Sequence, residues 1–176
     1  MVQRLKNHFE LFGLQPGFAL ERERLESAYR EIQAQVHPDR FAQAGDAERR
    51  ASLQWTTRVN EAYRTLKSPV QRAKYLLELA GLDVAFETNT SMPPDFLMRQ
   101  MELREALEQA EDARDAQALD VLRDALRADK RELERALGEA LDARRDQAGA
   151  AELTRKLMFL DKLDAEVDLA YEALEA

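Results

Sequence analysis

Two runs of apolar residues at helical spacing, separated by a histidine, a proline and an aspartate, constrain this chain more than any other stretch. In the first run, Leu25, Ala28, Tyr29, Ile32 and Val36 fall at i, i+3, i+4, i+7 and i+11. That is one stripe of a 3.6-residue helix. In the second, Ala51, Trp55, Val59, Ala62 and Leu66 repeat the period. Between them lies Val36-His37-Pro38-Asp39-Arg40-Phe41. Pro38 disfavours the α region at His37 and so closes the first helix there. Two amphipathic helices with facing stripes make an antiparallel hairpin, whose loop carries His37, Pro38 and Asp39 at an exposed tip. By itself Pro-Asp is an ordinary turn dipeptide and His37 an ordinary solvent-facing histidine.

Around the hairpin the punctuation is clear. Asn7 followed by Glu10 forms a capping box for a short first helix over roughly 7–14, which Gly13, Pro16 and Gly17 end. Its aromatics Phe9 and Phe12, with Phe18 beyond, anchor it onto the hairpin. The second helix spans about 20–36. Its polar face sets Arg22, Arg24 and Arg30 against Glu21, Glu23, Glu26 and Glu31, and i,i+4 pairing in solvent suits Arg22 and Arg24. Asp46 is a fitting N-cap for a third helix that runs to about residue 66. Ser68-Pro69 then supplies a cap and a first helical residue for a helix over 69–80, burying Ala73, Leu76, Leu77 and Ala80, with Gly81 as its C-cap. Residues 83–94 are irregular and end in Pro93-Pro94, which reads as a linker between domains 1–82 and 95–176. Within it, Asn89-Thr90-Ser91 matches a glycosylation sequon formally, but no secretion signal gives it meaning.

The C-terminal part reads as three helices, over about 95–111, 116–145 and 150–175, which short polar turns fold into an antiparallel bundle. Leu119, Leu122, Leu126, Leu133, Leu137 and Leu141 make an inward stripe with one polar gap, and Leu153, Leu157, Leu160, Val167, Tyr171 and Leu174 make another. The first of these helices is more apolar than a bundle requires. Phe96, Leu103, Leu107 and Ala110 lie within about 60° of one another and suffice for a core stripe. Leu97, Met98 and Met101 fall on another side, beside Glu102 and Glu105. Either the core stripe is wide, with Leu97 or Met101 at its flank, or these side chains form a partner-binding patch. Exposed methionine adapts to irregular surfaces, and flanking carboxylates favour a basic partner. Phe159 lies about 100° from Leu160, off the centre of its own stripe, where bundle geometry can bring it beside that patch.

Composition narrows the functions. Hydrophobic residues make up 45% and charged residues 34% of 176 residues, with six glycines and five prolines, which suits an all-α protein. A net charge of −8 makes nucleic acid a poor partner. With no cysteine the chain holds no disulfide, thiol nucleophile or thiolate-bound metal. No apolar run follows Arg4 and Lys6, and none approaches the ~18 residues that span a bilayer. A soluble cytoplasmic protein is expected.

Helix, His37-Pro38-Asp39 and helix, with Tyr29 before the histidine and Asn60-Glu61-Ala62-Tyr63 late in the second helix, together resemble a J-domain. J-domains dock on Hsp70-type chaperones and stimulate their ATP hydrolysis. The resemblance implies an Hsp70-binding surface at His37, Pro38, Asp39, Arg40 and Arg30. In that family the helix before the tip is often basic, whereas here it is charge-mixed. The stretch from Phe96 to Glu105, with Arg155-Lys156-Leu157-Met158-Phe159-Leu160-Asp161-Lys162-Leu163, is similar to the C-terminal domain of the HscB family, J-type co-chaperones of iron–sulfur cluster biogenesis. The likeness covers essentially the whole chain, from Phe9-Glu10-Leu11-Phe12-Gly13-Leu14 to the last helix. It implies an all-α architecture: an N-terminal J-domain hairpin with short flanking helices, then a C-terminal antiparallel three-helix bundle. It also implies a surface for the cluster scaffold protein (IscU type) at Leu97, Met98, Met101, Glu102, Glu105 and Phe159, while the J-domain holds a specialised Hsp70 (HscA type). A further acidic position of that surface falls at Gln109, where the charge is missing, next to Glu108. Some eukaryotic relatives carry an N-terminal cysteine-rich extension, and its absence fits a bacterial form without a metal site.

The expected function is that of a monomeric adaptor without chemistry or cofactor of its own. It stimulates the Hsp70 and delivers the scaffold to it, joining both in one chain and so raising their effective concentration. A general J-protein serving another client is the alternative. An enzyme using His37 and Asp39 as an acid/base pair lacks a water-excluding pocket, a phosphate cradle and a metal cluster, and His8 has no obvious companion.

Overall fold

The computed structural model describes residues 6–84 and 92–176, and among them the ordered elements are helical. They are α1 (His8–Leu11), α2 (Arg22–Val36), α3 (Asp46–Lys67), α4 (Pro69–Leu79), α5 (Pro94–Asp112), α6 (Ala116–Gly138) and α7 (Gln147–Glu175). A 3-10 turn over Pro38–Phe41 joins α2 to α3, and a π-helical segment over Glu139–Arg144 extends α6. The chain divides into two compact units, Met1–Leu76 and Leu77–Ala176. Most of the 83–94 segment read as a linker, including Asn89-Thr90-Ser91, lies outside the described residues. No helix among the described residues is long and apolar enough to cross a membrane.

In the first unit α2 and α3 pair as a hairpin on which α1 rests. Phe9, Phe12, Leu25, Val59, Ala62 and Leu66 form its buried core, with Ala28, Tyr29, Ile32 and Val36 packed against it. The Asn7 capping box forms as its spacing predicts: Asn7 Oδ1 accepts from Glu10 N at 2.8 Å and Glu10 Oε2 from Asn7 N at 3.0 Å. His8 does have a companion, since its ring stacks on Tyr75 at 4.3 Å. Two readings of α3 need correction. Gly45 is the N-cap and Asp46 the first helical residue, where its carboxylate pairs with Arg49. The apolar stripe also fails near the tip: Ala51 and Trp55 are exposed, and Ser52 takes the buried position. The reason is polar, because the end of α2 presents a carbonyl there that needs donors.

Ser68 Oγ caps α4 by accepting from Gln71 N at 3.3 Å. At the other end Leu82 N donates to Leu77 O and Gly81 N to Glu78 O, both at 2.9 Å, with Gly81 at φ +82°. That is a Schellman ending, and the left-handed residue it needs is cheapest as glycine. Ala80, expected inside, is exposed because the helix has already ended at Leu79.

In the second unit α5, α6 and α7 bury Leu103, Leu107, Ala110, Leu119, Leu122, Leu126, Leu160, Leu163, Val167 and Ala170 together. Asp115 and Asp146 cap α6 and α7 through their side chains. The polar gap in the α6 stripe is occupied by Lys130, whose ammonium reaches Asp161 at 2.7 Å and Asp164 at 3.1 Å on α7.

Candidate docking sites

The corner between α2 and α3 is built from backbone constraints. His37 leaves the helix at φ −56° and ψ 132°, as a residue before proline must, and its N–H still donates to Gln33 O at 3.0 Å. Pro38 then opens the 3-10 turn, whose first donor is satisfied locally: Asp39 N–H donates to His37 Nδ1 at 3.3 Å. The Asp39 carboxylate lies 3.4 Å from the same Nδ1. The two side chains are 48% and 90% exposed, so the site excludes no water. This corner can be grasped by a partner, but it offers no enclosed place for acid–base chemistry.

Arg40 and Arg30, placed beside the tip by sequence, are both exposed, and each is also engaged with the α2 backbone. Arg40 Nη1 donates to Ala34 O at 3.1 Å and Arg30 Nε to Glu26 O at 3.3 Å. Arg22 pairs with Glu26 at 2.9 Å, and Arg24 lies 3.8 Å from Glu21. The mixed face thus pairs charges near its start, while Arg30 and Arg40, toward the tip, bond backbone carbonyls instead. Tyr29 and Asn60 turn out to be structural. The tyrosine stacks on Tyr63 at 4.0 Å, and its hydroxyl donates to Asn60 Oδ1 at 2.8 Å while accepting from Gln33 Nε2 at 3.1 Å.

The second site lies on α5. Phe96, Leu103, Leu107 and Ala110 turn into the bundle as the helical wheel requires, with Leu103 at 3% and Leu107 at 5% exposure. Leu97, Met98 and Met101 are left outward at 43%, 65% and 71%. Glu102 and Glu105 are exposed beside them. Arg99 forks between Asp129 on α6 at 2.8 Å and Glu102 at 3.2 Å, so Glu102 is partly compensated. Gln109 Nε2 donates to Glu105 Oε1 at 3.2 Å, which orients that carboxylate without cancelling its charge.

Phe159 differs from this outward set. It is half-buried, packs against the bundle core and meets Phe96 edge to face at 6.2 Å. The Arg104 guanidinium lies over its ring at 5.3 Å and reaches Glu166 at 3.1 Å. On the wheel Arg104 falls about 20° from Leu97, so Phe159 meets α5 on the side where Leu97 emerges. Sequence reading missed Arg99 and Arg104, the cations that brace the strip; their signal was only opposite charge on neighbouring helices, which does not specify pairing. Among the described residues no group of three or more histidines and carboxylates is disposed to hold a metal ion.

Comparison with known proteins covers both sites. Residues 7–75 match the DnaJ domain family, and residues 92–168 match the family described as the HSCB C-terminal oligomerisation domain. Among curated relatives, the co-chaperone protein HscB homologues of Burkholderia vietnamiensis and Burkholderia multivorans are each 53% identical over 175 residues, covering 99% of this chain and 99% of theirs. Among solved structures, the chaperone HscB from Vibrio cholerae is 40% identical with a TM-score of 0.83, over 96% of this chain and 99% of that one. Human co-chaperone protein HscB is 28% identical with a TM-score of 0.88, over 94% of this chain and 82% of that one.

Proposed function

The chain belongs to the HscB family of J-domain co-chaperones, and from that membership we propose how its two surfaces divide the work. His37, Pro38 and Asp39, with Arg40 and Arg30, engage the Hsp70. Leu97, Met98, Met101, Glu102 and Glu105, with Phe159 at the edge, engage the scaffold. The family works with an Hsp70 of the HscA type and a scaffold of the IscU type in iron–sulfur cluster assembly. Stimulating that ATPase and delivering that scaffold is the function of this protein. The chain performs no reaction itself in this reading, which the solvent-open corner supports, and it acts in the cytoplasm. A general J-protein with another client is not favoured, because the C-terminal family match spans 92–168.

The observation that carries the assignment is the exposed strip of Leu97, Met98 and Met101 on a helix that already has a complete core face. Exposed apolar area of this kind marks an interaction surface, and methionine suits an irregular partner. The test is a double dissociation in the full chain. His37→Gln is expected to abolish stimulation of the HscA-type ATPase and to leave scaffold affinity unchanged. Leu97→Ala with Met98→Ala is expected to weaken scaffold binding by about 2 kcal/mol, as truncated hot spots do, and to leave ATPase stimulation without scaffold unchanged. If both variants bind scaffold like the parent, the strip is not the scaffold site.

A further inference from the structure

The last turn of a helix leaves carbonyls without helical partners, and the answer at the end of α2 comes largely from other parts of the first unit. Arg40 takes Ala34 O. Val36 O, immediately before the His37 corner, accepts two hydroxyls from α3: Ser52 Oγ at 2.6 Å and Thr56 Oγ1 at 3.1 Å. We infer that Ser52 and Thr56 are positioning residues for the docking corner, acting on the Hsp70 through Val36 and His37 rather than by touching it. This inference rests on the reading that the His37 corner is where the Hsp70 docks.

Three features set these hydroxyls apart from ordinary helix residues. First, Ser52 is 4% exposed, at a position where the hairpin seam would otherwise take an apolar side chain. Serine and threonine inside a helix usually bond back to the carbonyl four residues earlier. Thr57 does so, to Leu53 O at 3.0 Å, while Ser52 and Thr56 reach across to α2 instead. Second, they stand four residues apart, so they share a face of α3 and converge on one oxygen, whose two lone pairs accept both. Third, the peptide unit is planar, so fixing the direction of Val36 C=O also fixes the His37 N–H. That N–H closes onto Gln33, whose side chain belongs to the Tyr29–Asn60 link. The orientation of the corner is thereby tied to the register of the hairpin.

Without the two hydroxyls the last turn of α2 frays and the corner spends less time in its docking geometry. Apparent affinity falls in proportion to the competent fraction, while the bound complex is unchanged. The test titrates full-length protein carrying Ser52→Ala and Thr56→Val against the ATPase of the HscA-type Hsp70, well below the melting temperature. The half-saturating concentration is expected to rise about tenfold at an unchanged plateau rate. Amide exchange at His37 and Arg40 should quicken relative to Val59 and Leu66, and scaffold binding should stay constant. Exchanging the donors, with Ser52→Thr and Thr56→Ser, should restore the parent titration to within about twofold. An unchanged half-saturating concentration in the folded double variant overturns the inference. So does a loss accompanied by equal exchange quickening along the whole hairpin and not rescued by the exchanged donors. If His37→Gln abolishes stimulation while the double variant is silent, this inference alone fails; if His37→Gln is silent, the docking corner fails and this inference with it.

Discussion

Met98 and Met101 leave about two-thirds of their surface in water, while Phe159 is wedged against Phe96 beneath the Arg104 guanidinium. Truncating them should therefore separate binding from stability. Phe159→Ala removes an edge-to-face ring contact and a half-buried ring, so it should cost about 2 kcal/mol of folding free energy, below the range for fully buried phenylalanines. Met101→Ala should change stability by no more than about 0.5 kcal/mol, as surface substitutions do. Urea unfolding followed by circular dichroism reads both. Equal losses would mean that the strip belongs to the core. Met101 was legible from the 100° turn of one helix. The half-burial of Phe159 was not, since it depends on how α7 meets α5, and no single-helix wheel contains that. Arg40 carries the same lesson: its sequence position put it at the tip, but its bond to Ala34 O follows from the path of the 3-10 turn.

At the scale of elements, α6 and α7 are joined across their polar gap by Lys130. Burial pulls its ammonium toward neutrality, but the hydrogen bonds and charges of Asp161 and then Asp164 outweigh this and hold its pKa above the ordinary 10.5. A cation with a raised folded pKa stabilises fully below the unfolded value and loses that contribution as pH rises through the folded one. Lys130→Met leaves two carboxylates without this partner and should cost about 1–3 kcal/mol at neutral pH. The gap between parent and variant should close only above about pH 10.5; melts from neutral to strongly alkaline pH would reveal a gap closing at lower pH, which this pairing does not allow. The gap at 127–132 was visible in the leucine pattern, and Lys130 could be found within it. Its partners could not, because they lie more than thirty residues away. The capping residues Asn7, Ser68 and Gly81 were readable because their bonds are local. The π-helical Glu139–Arg144 was not, having neither proline nor glycine to announce it.

For the whole molecule, the physical question is what covalent connection adds. The His37 corner and the α5 strip sit in separate compact units, each with its own buried core. Fragments 1–82 and 93–176 each keep one of the two buried core clusters and are expected to fold separately, each giving the helical signal and a cooperative melt, and failure of both would mean one continuous core. If they fold, their mixture separates linkage from docking. Fragment 1–82 alone should stimulate the ATPase as the intact chain does without scaffold, and fragment 93–176 should bind scaffold with unchanged affinity. The additional stimulation that scaffold brings to the intact chain should be lost from an equimolar micromolar mixture, because a tether supplies an effective concentration on the order of millimolar. Measuring ATPase rates with scaffold present, for the intact chain and for the mixture, decides it. A mixture that matches the intact chain at micromolar concentration would mean that the two surfaces work independently, and that delivery needs no adaptor.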